Sequence, residues 1–174
     1  MTVRTRARLL ARLSNARHGN EAADLRDSIQ SVYPLYQDYS PTWTNFALVN
    51  GTDDSRYAQL GTGPGSLVLV QINVELGSSS AVSGAIIGSL PVTSRAYPMG
   101  AAETILGPAL FTDPGAQFYM GYAHWQTTTT FQLRYGNADD AIADRVVLGA
   151  TSSTIPFTFG TGDSFSASFF YEAG

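Results

Sequence analysis

The sequence holds no cysteine, no lysine and only two histidines among 174 residues. Without cysteine there can be neither a disulfide framework nor a thiolate metal site, and the redox compartment is left open. His18 and His124 stand too far apart for a standard metal-ligand spacing, and nothing resembles HExxH or an EF-hand loop. Nucleophilic catalysis would need a base beside a Ser or Thr, and there is no GxSxG turn to present one. Charged residues are only 14% of the chain, against roughly 25% in ordinary globular domains. No apolar run approaches the roughly 20 residues that span a bilayer, and no apolar h-region with a cleavage site follows the N-terminus. The sequence therefore predicts no membrane insertion, no secretion by signal peptide, no metal and no cofactor. GTGPG at 61–65 does not alter this, because a strand pattern follows it where a phosphate loop needs a helix N-terminus. No repeat of 20–50 residues is present, which excludes solenoids and propellers.

Apolar residues make up 44%, and Gly, Ser, Thr, Tyr and Phe are plentiful, a mixture that favours sheets and tight turns. Length suggests one β-domain with an appendage. Charge divides the chain near Pro34. Residues 1–33 hold six arginines against Glu21, Asp24 and Asp27, a net of +3, and the remainder has four arginines against eleven acids, −7, giving the total of −4. A basic arm on an acidic body is the pattern of a segment that docks on an acidic partner.

Within the arm, Val3, Leu9, Leu10 and Leu13 share one helical face, with Arg4, Arg8 and Arg12 at i, i+4 on another. The spacing predicts a helix over 4–16, a break at His18-Gly19-Asn20, and a second helix capped by Asn20 with Leu25, Ile29 and Val32 on its apolar side. Pro34 stops it. The expectation is a short helical hairpin, helix-turn-helix-like, over residues 1–38. An isolated pair of such helices is marginal, so its apolar face should be buried on a neighbour. Leu9, Leu13, Leu25 and Ile29 are the candidate oligomer contacts, and Arg4, Arg6, Arg8, Arg12 and Arg17 the candidate attachment residues. Nucleic acid is the weaker partner for these arginines, since no aromatic residue is interleaved among them before Tyr33.

From Trp43 the period changes to two. TWTNFALV, SLVLVQINVEL, SGAIIGSL, AQFYMGYAHW, TTTTFQLRY, DRVVLGA and SFSASFFYE are short β-rich runs separated by turn residues. In the second run Val68, Val70, Ile72, Val74 and Leu76 form the better core face, opposite Leu67, Leu69, Gln71, Asn73 and Glu75. In the last, Phe165, Ala167, Phe169 and Tyr171 alternate with Ser164, Ser166, Ser168 and Phe170. Thr127–Thr130 reads as a strand start. Turn signals at 61–65, 77–80, 112–115, 135–140 and 159–163 agree. Seven or eight such strands predict a mainly β fold, an antiparallel β-sandwich or jelly roll over residues 39–174.

Two groups of residues could carry chemistry. Tyr119, Met120, Tyr122, His124 and Trp125 form an aromatic-dense strand, with Tyr122, His124 and Trp125 the candidates for recognition of a sugar ring or a partner's pocket. Core packing or an inter-subunit contact is the preferred reading of that strand. Glu75, Glu103, Asp113, Asp163 and Glu172 could pair as in a glycosidase, although Asp113 and Asp163 lie in turn signals, where the side chain commonly bonds its own backbone. No catalytic residue is assigned.

Several short motifs point to a family. They are Trp43-Thr44-Asn45-Phe46, Leu90-Pro91-Val92 with Tyr97-Pro98, and Pro156-Phe157-Thr158-Phe159-Gly160-Thr161-Gly162-Asp163-Ser164 followed by Phe170-Tyr171-Glu172-Ala173. With them the stretch from Trp43 to Gly174 resembles the β-rich C-terminal modules of minor tail and other virion surface proteins of actinobacteriophages. Thr5-Arg6-Ala7-Arg8-Leu9-Leu10 and Asp24-Leu25-Arg26-Asp27-Ser28-Ile29-Gln30-Ser31 resemble segments placed ahead of such modules. The resemblance implies a non-enzymatic component of the virion, assembled in the host cytoplasm as a homo-oligomer, with the trimer the leading number. The arm would attach it to other capsid or tail proteins, and the β-domain would be displayed. A minor tail protein and a capsid decoration or head-spike protein both fit. A host-surface or glycan-binding (receptor-binding) module is the alternative, and a polysaccharide-degrading enzyme the weakest.

Overall fold

The structure, a computed structural model, describes residues 36–97, 104–138 and 146–174. Every regular element among the described residues is a strand, and every pairing is antiparallel. The strands are β1 (Gln37–Asp38), β2 (Trp43–Ala47), β3 (Thr52–Asp53), β4 (Arg56–Leu60), β5 (Leu67–Glu75), β6 (Ala81–Ser89), β7 (Ile105–Asp113), β8 (Gln117–Thr127), β9 (Thr130–Ala138), β10 (Val146–Ala150) and β11 (Ser164–Glu172). They form one curled sheet in the order β1-β4-β5-β11-β7-β8-β9-β6-β2, with β3 added to β5 and β10 to β9.

β5 and β11 are the long pair at its centre. The alternation read from the sequence decides their faces: Phe165 pairs with Val74, Ala167 with Ile72, Phe169 with Val70 and Tyr171 with Val68, and all eight side chains are buried. Their opposite rows, from Leu67 to Glu75 and from Ser164 to Glu172, point outward. The predicted core face of this region is the one the structure shows. The inner row continues through Ala109 and Phe111 of β7 and Ala123 of β8 to Phe131 and Leu133 of β9. Curling brings the other end of the sheet onto this row. Trp43 of β2 meets Phe165 at 5.4 Å and Phe131 at 5.9 Å between ring centroids, both edge-on. Edge-on geometry sets the positive rim of one ring against the negative face of the next. No Cβ fits at Gly88, where it would stand 2.6 Å from the Phe131 ring and 2.8 Å from Trp43.

Three strands share an edge between two partners, and small polar groups fill the joins. Along β9, β6 pairs with Thr130–Gln132 and β10 with Arg134–Ala138. Buried Thr151 bridges the step, its hydroxyl accepting from Ile86 N at 2.9 Å and donating to Leu133 O at 3.4 Å. Between β4 and β3, Asn73 is held by Asp54 N and by the Ser55 hydroxyl. Along β11, β7 covers Ser164–Ala167, and beyond it Arg95 N reaches Glu172 O at 2.9 Å. The residues between β1 and β2 tie the two ends of the sheet together: the Tyr39 hydroxyl donates to Ser89 O, and Thr42 and Ser89 exchange two bonds.

Two expectations need correction. The helical arm expected over residues 1–38 lies outside the described residues except for its last three, and there Gln37 and Asp38 are extended and paired with Tyr57 and Arg56. The β-body therefore begins before residue 39. Thr127–Thr130 starts a strand only at its last residue: Thr127 ends β8, Thr130 opens β9, and the two between them make the turn. The Thr127 hydroxyl lies 2.7 Å from that of Thr130 and accepts from Thr129 N, the local bonding by which threonine competes with a ladder.

Candidate interaction surface

The outward rows of β4, β5, β11, β7 and β8 make one face of five adjacent strands. Register places Leu60 beside Leu67, Leu69 beside Phe170, Leu110 beside Met120, and Thr112 beside Phe118. Phe118 is 74% exposed, and Met120 and Phe170 are each 60% exposed. Side chains of that size in water mark a contact surface more often than chance placement does. Between them runs a polar band of Ser166, Ser168, Gln71 and Asn73. Charge is confined to the margins: Arg56 at the β4 edge donates to Gln71 Oε1 at 2.9 Å, Glu75 ends β5, and Glu172 pairs with Arg95 at 2.7 Å. Tyr36 lies against the Arg56 guanidinium, 5.6 Å from ring centroid to Cζ, so the chain enters the domain beside this face.

The aromatic strand proposed for recognition is split by β8. Met120, Tyr122 and His124 share the outward side as alternation predicts, but His124 is 1% exposed. Tyr119, Gly121 and Trp125 all fit the inward side. Trp125 packs edge-on against Tyr97, and its Nε1 donates to Ser94 Oγ at 2.7 Å. His124 and Trp125 are therefore both buried, His124 on the outer side of the sheet and Trp125 on the inner. Tyr122 alone remains half-buried on the outer face. Arg4, Arg6, Arg8, Arg12, Arg17, Leu9, Leu13, Leu25 and Ile29 lie outside the described residues, as does Glu103.

The remaining candidate carboxylates divide by role. Asp163 is buried and accepts from Gly160 N at 2.5 Å, closing the turn at 160–163. That turn is latched to Leu76, just past the end of β5, by Gly162 N to Leu76 O and Leu76 N to Asp163 O, both 2.8 Å. Gly162 has φ +85, a conformation glycine adopts freely. Ahead of it Phe157 and Phe159 pack with tilted rings 4.6 Å apart and reach Tyr119 and Phe111. The Pro156–Ser164 motif thus acts as a clasp over the β7–β8 end of the core. Among the described residues no group of three or more metal-ligating side chains comes together, and no helix is long and apolar enough to cross a membrane.

Burial pushes the Asp163 carboxyl above its ordinary value, with Asp113 nearby adding to the rise and the Gly160 bond opposing it. An acid held more tightly protonated in the folded chain costs stability once both states are ionised. Stability should therefore rise as pH falls from the folded value towards the ordinary 3.8. Subtracting the melting curve of Asp163→Asn from that of the wild type isolates this contribution. The difference should be zero or in favour of the variant at pH 7 and should move towards the wild type on acidification. A difference that moves the other way would show that the Gly160 bond outweighs burial.

Phe170, Leu67 and Leu60 were not singled out from the sequence. One signal was present: Phe170 interrupts the serine row of its strand, placing a large ring where alternation calls for a small polar residue. No protein-family model, curated protein or solved structure matches the chain.

Proposed function

We propose that the chain is a non-enzymatic structural component of a tailed bacteriophage particle, a minor tail or head decoration protein whose N-terminal arm attaches it and whose β-domain is displayed. The observation that carries this reading is the outer face, a rigid sheet presenting exposed Phe118, Met120 and Phe170 with charge only at its rim. Such a surface serves contact between proteins and offers no convergent set of acid, base and nucleophile. The motif resemblance supplies the virus. Its residues are those that close the fold: Val92 is held by Tyr171, Tyr97 by Trp125, and Pro156–Ser164 forms the clasp.

On this reading the curled sheet is a flattened sandwich, with β4-β5-β11-β7 facing β9-β6-β2 and β8 joining the two. The Trp43–Phe165 and Phe131–Phe169 contacts support it, since each joins strands of opposite layers. Host-surface or glycan binding loses two of its three residues to burial. The partners are other virion proteins and further copies of this chain, the net +3 of residues 1–33 complementing an acidic surface.

Deleting residues 1–33 should leave a folded β-domain by circular dichroism but abolish incorporation into particles. Arg8→Glu with Arg12→Glu in the full chain should lower incorporation without altering the fold. A truncated, folded chain that still co-purifies with particles would overturn the attachment role. The position of the chain in a particle density map separates head from tail.

A further inference from the structure

We propose that two copies of this chain associate face to face through the outer surface of β4-β5-β11-β7-β8, about a two-fold axis that crosses β11 near Ser168. This inference stands on the sheet alone and does not depend on the phage reading. The first argument is composition. Along five strands the outward positions carry apolar or uncharged side chains everywhere except Arg56, Glu75 and Glu172, all marginal. Loss of charge at the centre with aromatic residues and methionine in its place is what distinguishes interface cores from ordinary surface.

The second argument is size. Five strands about 4.8 Å apart, β4 of five residues, β5, β11 and β7 of nine and β8 of eleven, at about 3.3 Å per residue give a patch of roughly 700 Å². A standard stable interface buries about 800 Å² on each partner. The face comes close to that size.

The third argument is self-complementarity, which selects a second copy over an unrelated protein. The apolar side chains form two clusters at opposite corners. Phe118, Met120 and Leu110 lie on β8 and β7 towards the 113–117 hairpin, and Phe170, Leu69, Leu67 and Leu60 lie on β11, β5 and β4 towards the other end. By register the midpoint between them falls on β11 at Ser168, which is exposed. A two-fold axis there, lying in the plane of contact across the line joining the clusters, sets each cluster of one copy on the opposite cluster of its mate. The polar band then meets itself, serine against serine with Gln71 in reach to bond across. This satisfies the isologous rule that if one residue contacts a second, the second contacts the first. The strands of the two copies cross at a steep angle, the orthogonal mode of sheet packing.

Light scattering on the full chain at tens of micromolar should give twice 18.6 kDa or an even multiple of it. Ser168→Arg places two like charges against each other at the axis and should halve that mass, as should Met120→Arg. Ala81→Arg, exposed on β6 away from the face, should leave it unchanged. Circular dichroism confirms that each variant is folded. Because the chain has no cysteine, Ser168→Cys supplies a second, independent reading. On mild oxidation it should form a disulfide between copies, whereas Ala81→Cys should not. A monomer at all concentrations overturns the proposal. So does an assembly that survives both Ser168→Arg and Met120→Arg, which would place the contact elsewhere in the chain. A trimer dissolved by Met120→Arg, with no disulfide from Ser168→Cys, overturns the two-fold arrangement.

Discussion

Phe165→Ala should lower the melting temperature by roughly 6–20 °C. Large-to-small changes of a buried phenylalanine cost about 3–5 kcal/mol, and in a domain of this size each kcal/mol moves the midpoint by about 2–4 °C. The reason for placing Phe165 first is where its ring stands. It is 1% exposed and lies within 5.3–6.4 Å of Trp43 and Phe46 of β2 and Phe111 of β7. Its truncation opens a hole between opposite parts of the curled sheet. The walls cannot close it, because Trp43 is also fixed against Phe131 and Phe46. The control lies on the same strand. Phe170→Ala removes an equal ring from a position 60% exposed and should change stability by no more than about 0.5 kcal/mol. Thermal denaturation followed by circular dichroism, on samples dilute enough to be monomeric, compares the two. Equal losses from both would mean that the inner and outer rows have been assigned wrongly.

The second large effect belongs to Tyr171→Phe, expected to cost about 1–3 kcal/mol although it removes one atom. The Tyr171 hydroxyl donates to Val92 O at 2.7 Å and accepts from Val92 N at 3.2 Å, satisfying both backbone groups of one residue. Phenylalanine keeps the ring and leaves both groups without that partner. The effect should be local as well as global. Amide exchange at Val92 and Ser94 should quicken more than exchange in β5, since Val92 then loses its bonds to Tyr171 while its neighbours Leu90, Thr93, Ser94 and Arg95 keep theirs. Exchange that quickens evenly across the sheet would count against a local lock.

Burial also pushes the Tyr171 phenol, and that of Tyr39, well above the ordinary value of 10.0. The folded chain holds these protons while the unfolded chain gives them up. Stability is therefore unaffected below about pH 10 and falls as pH rises beyond it. Tyr171→Phe should flatten part of that alkaline fall, which a pH series of melting curves would read.

The faces of β5 and β11 could be read from period alone, because each strand has one buried side and a two-residue repeat leaves no ambiguity there. The partnership between them could not. Nothing local in SLVLVQINVEL says that its neighbours are β4 and β11, the last a hundred or so residues later in the chain. β8 failed for a different reason. Its central part is covered on both sides, so His124 and Trp125 are both buried, and a strand buried on both faces shows no alternation by which to judge exposure. The Ser94–Trp125 bond that fixes the indole joins residues with no shared motif. Asp163 was legible as a turn residue, since an acid after Gly-Thr-Gly suits a backbone cap. The outer cluster was half legible: Met120 stood out, but Phe170 needed its position on the serine row to be taken as an anomaly.

The pairing of β5 with β11 also governs how the chain behaves while it is being made. β5 leaves the ribosome early with a row of Val68, Val70, Ile72 and Val74 and no charge before Glu75. Such a segment has the makeup of strands that stack between chains. Its permanent neighbour is the last strand, and at about 5–20 residues per second several seconds of synthesis separate them. During that interval β4 and β3 shield one edge of β5, and the edge reserved for β11 stays open. Yield in a heterologous host should therefore depend on slow, cool expression and on chaperones that hold nascent chains far more than on the stability of the finished domain.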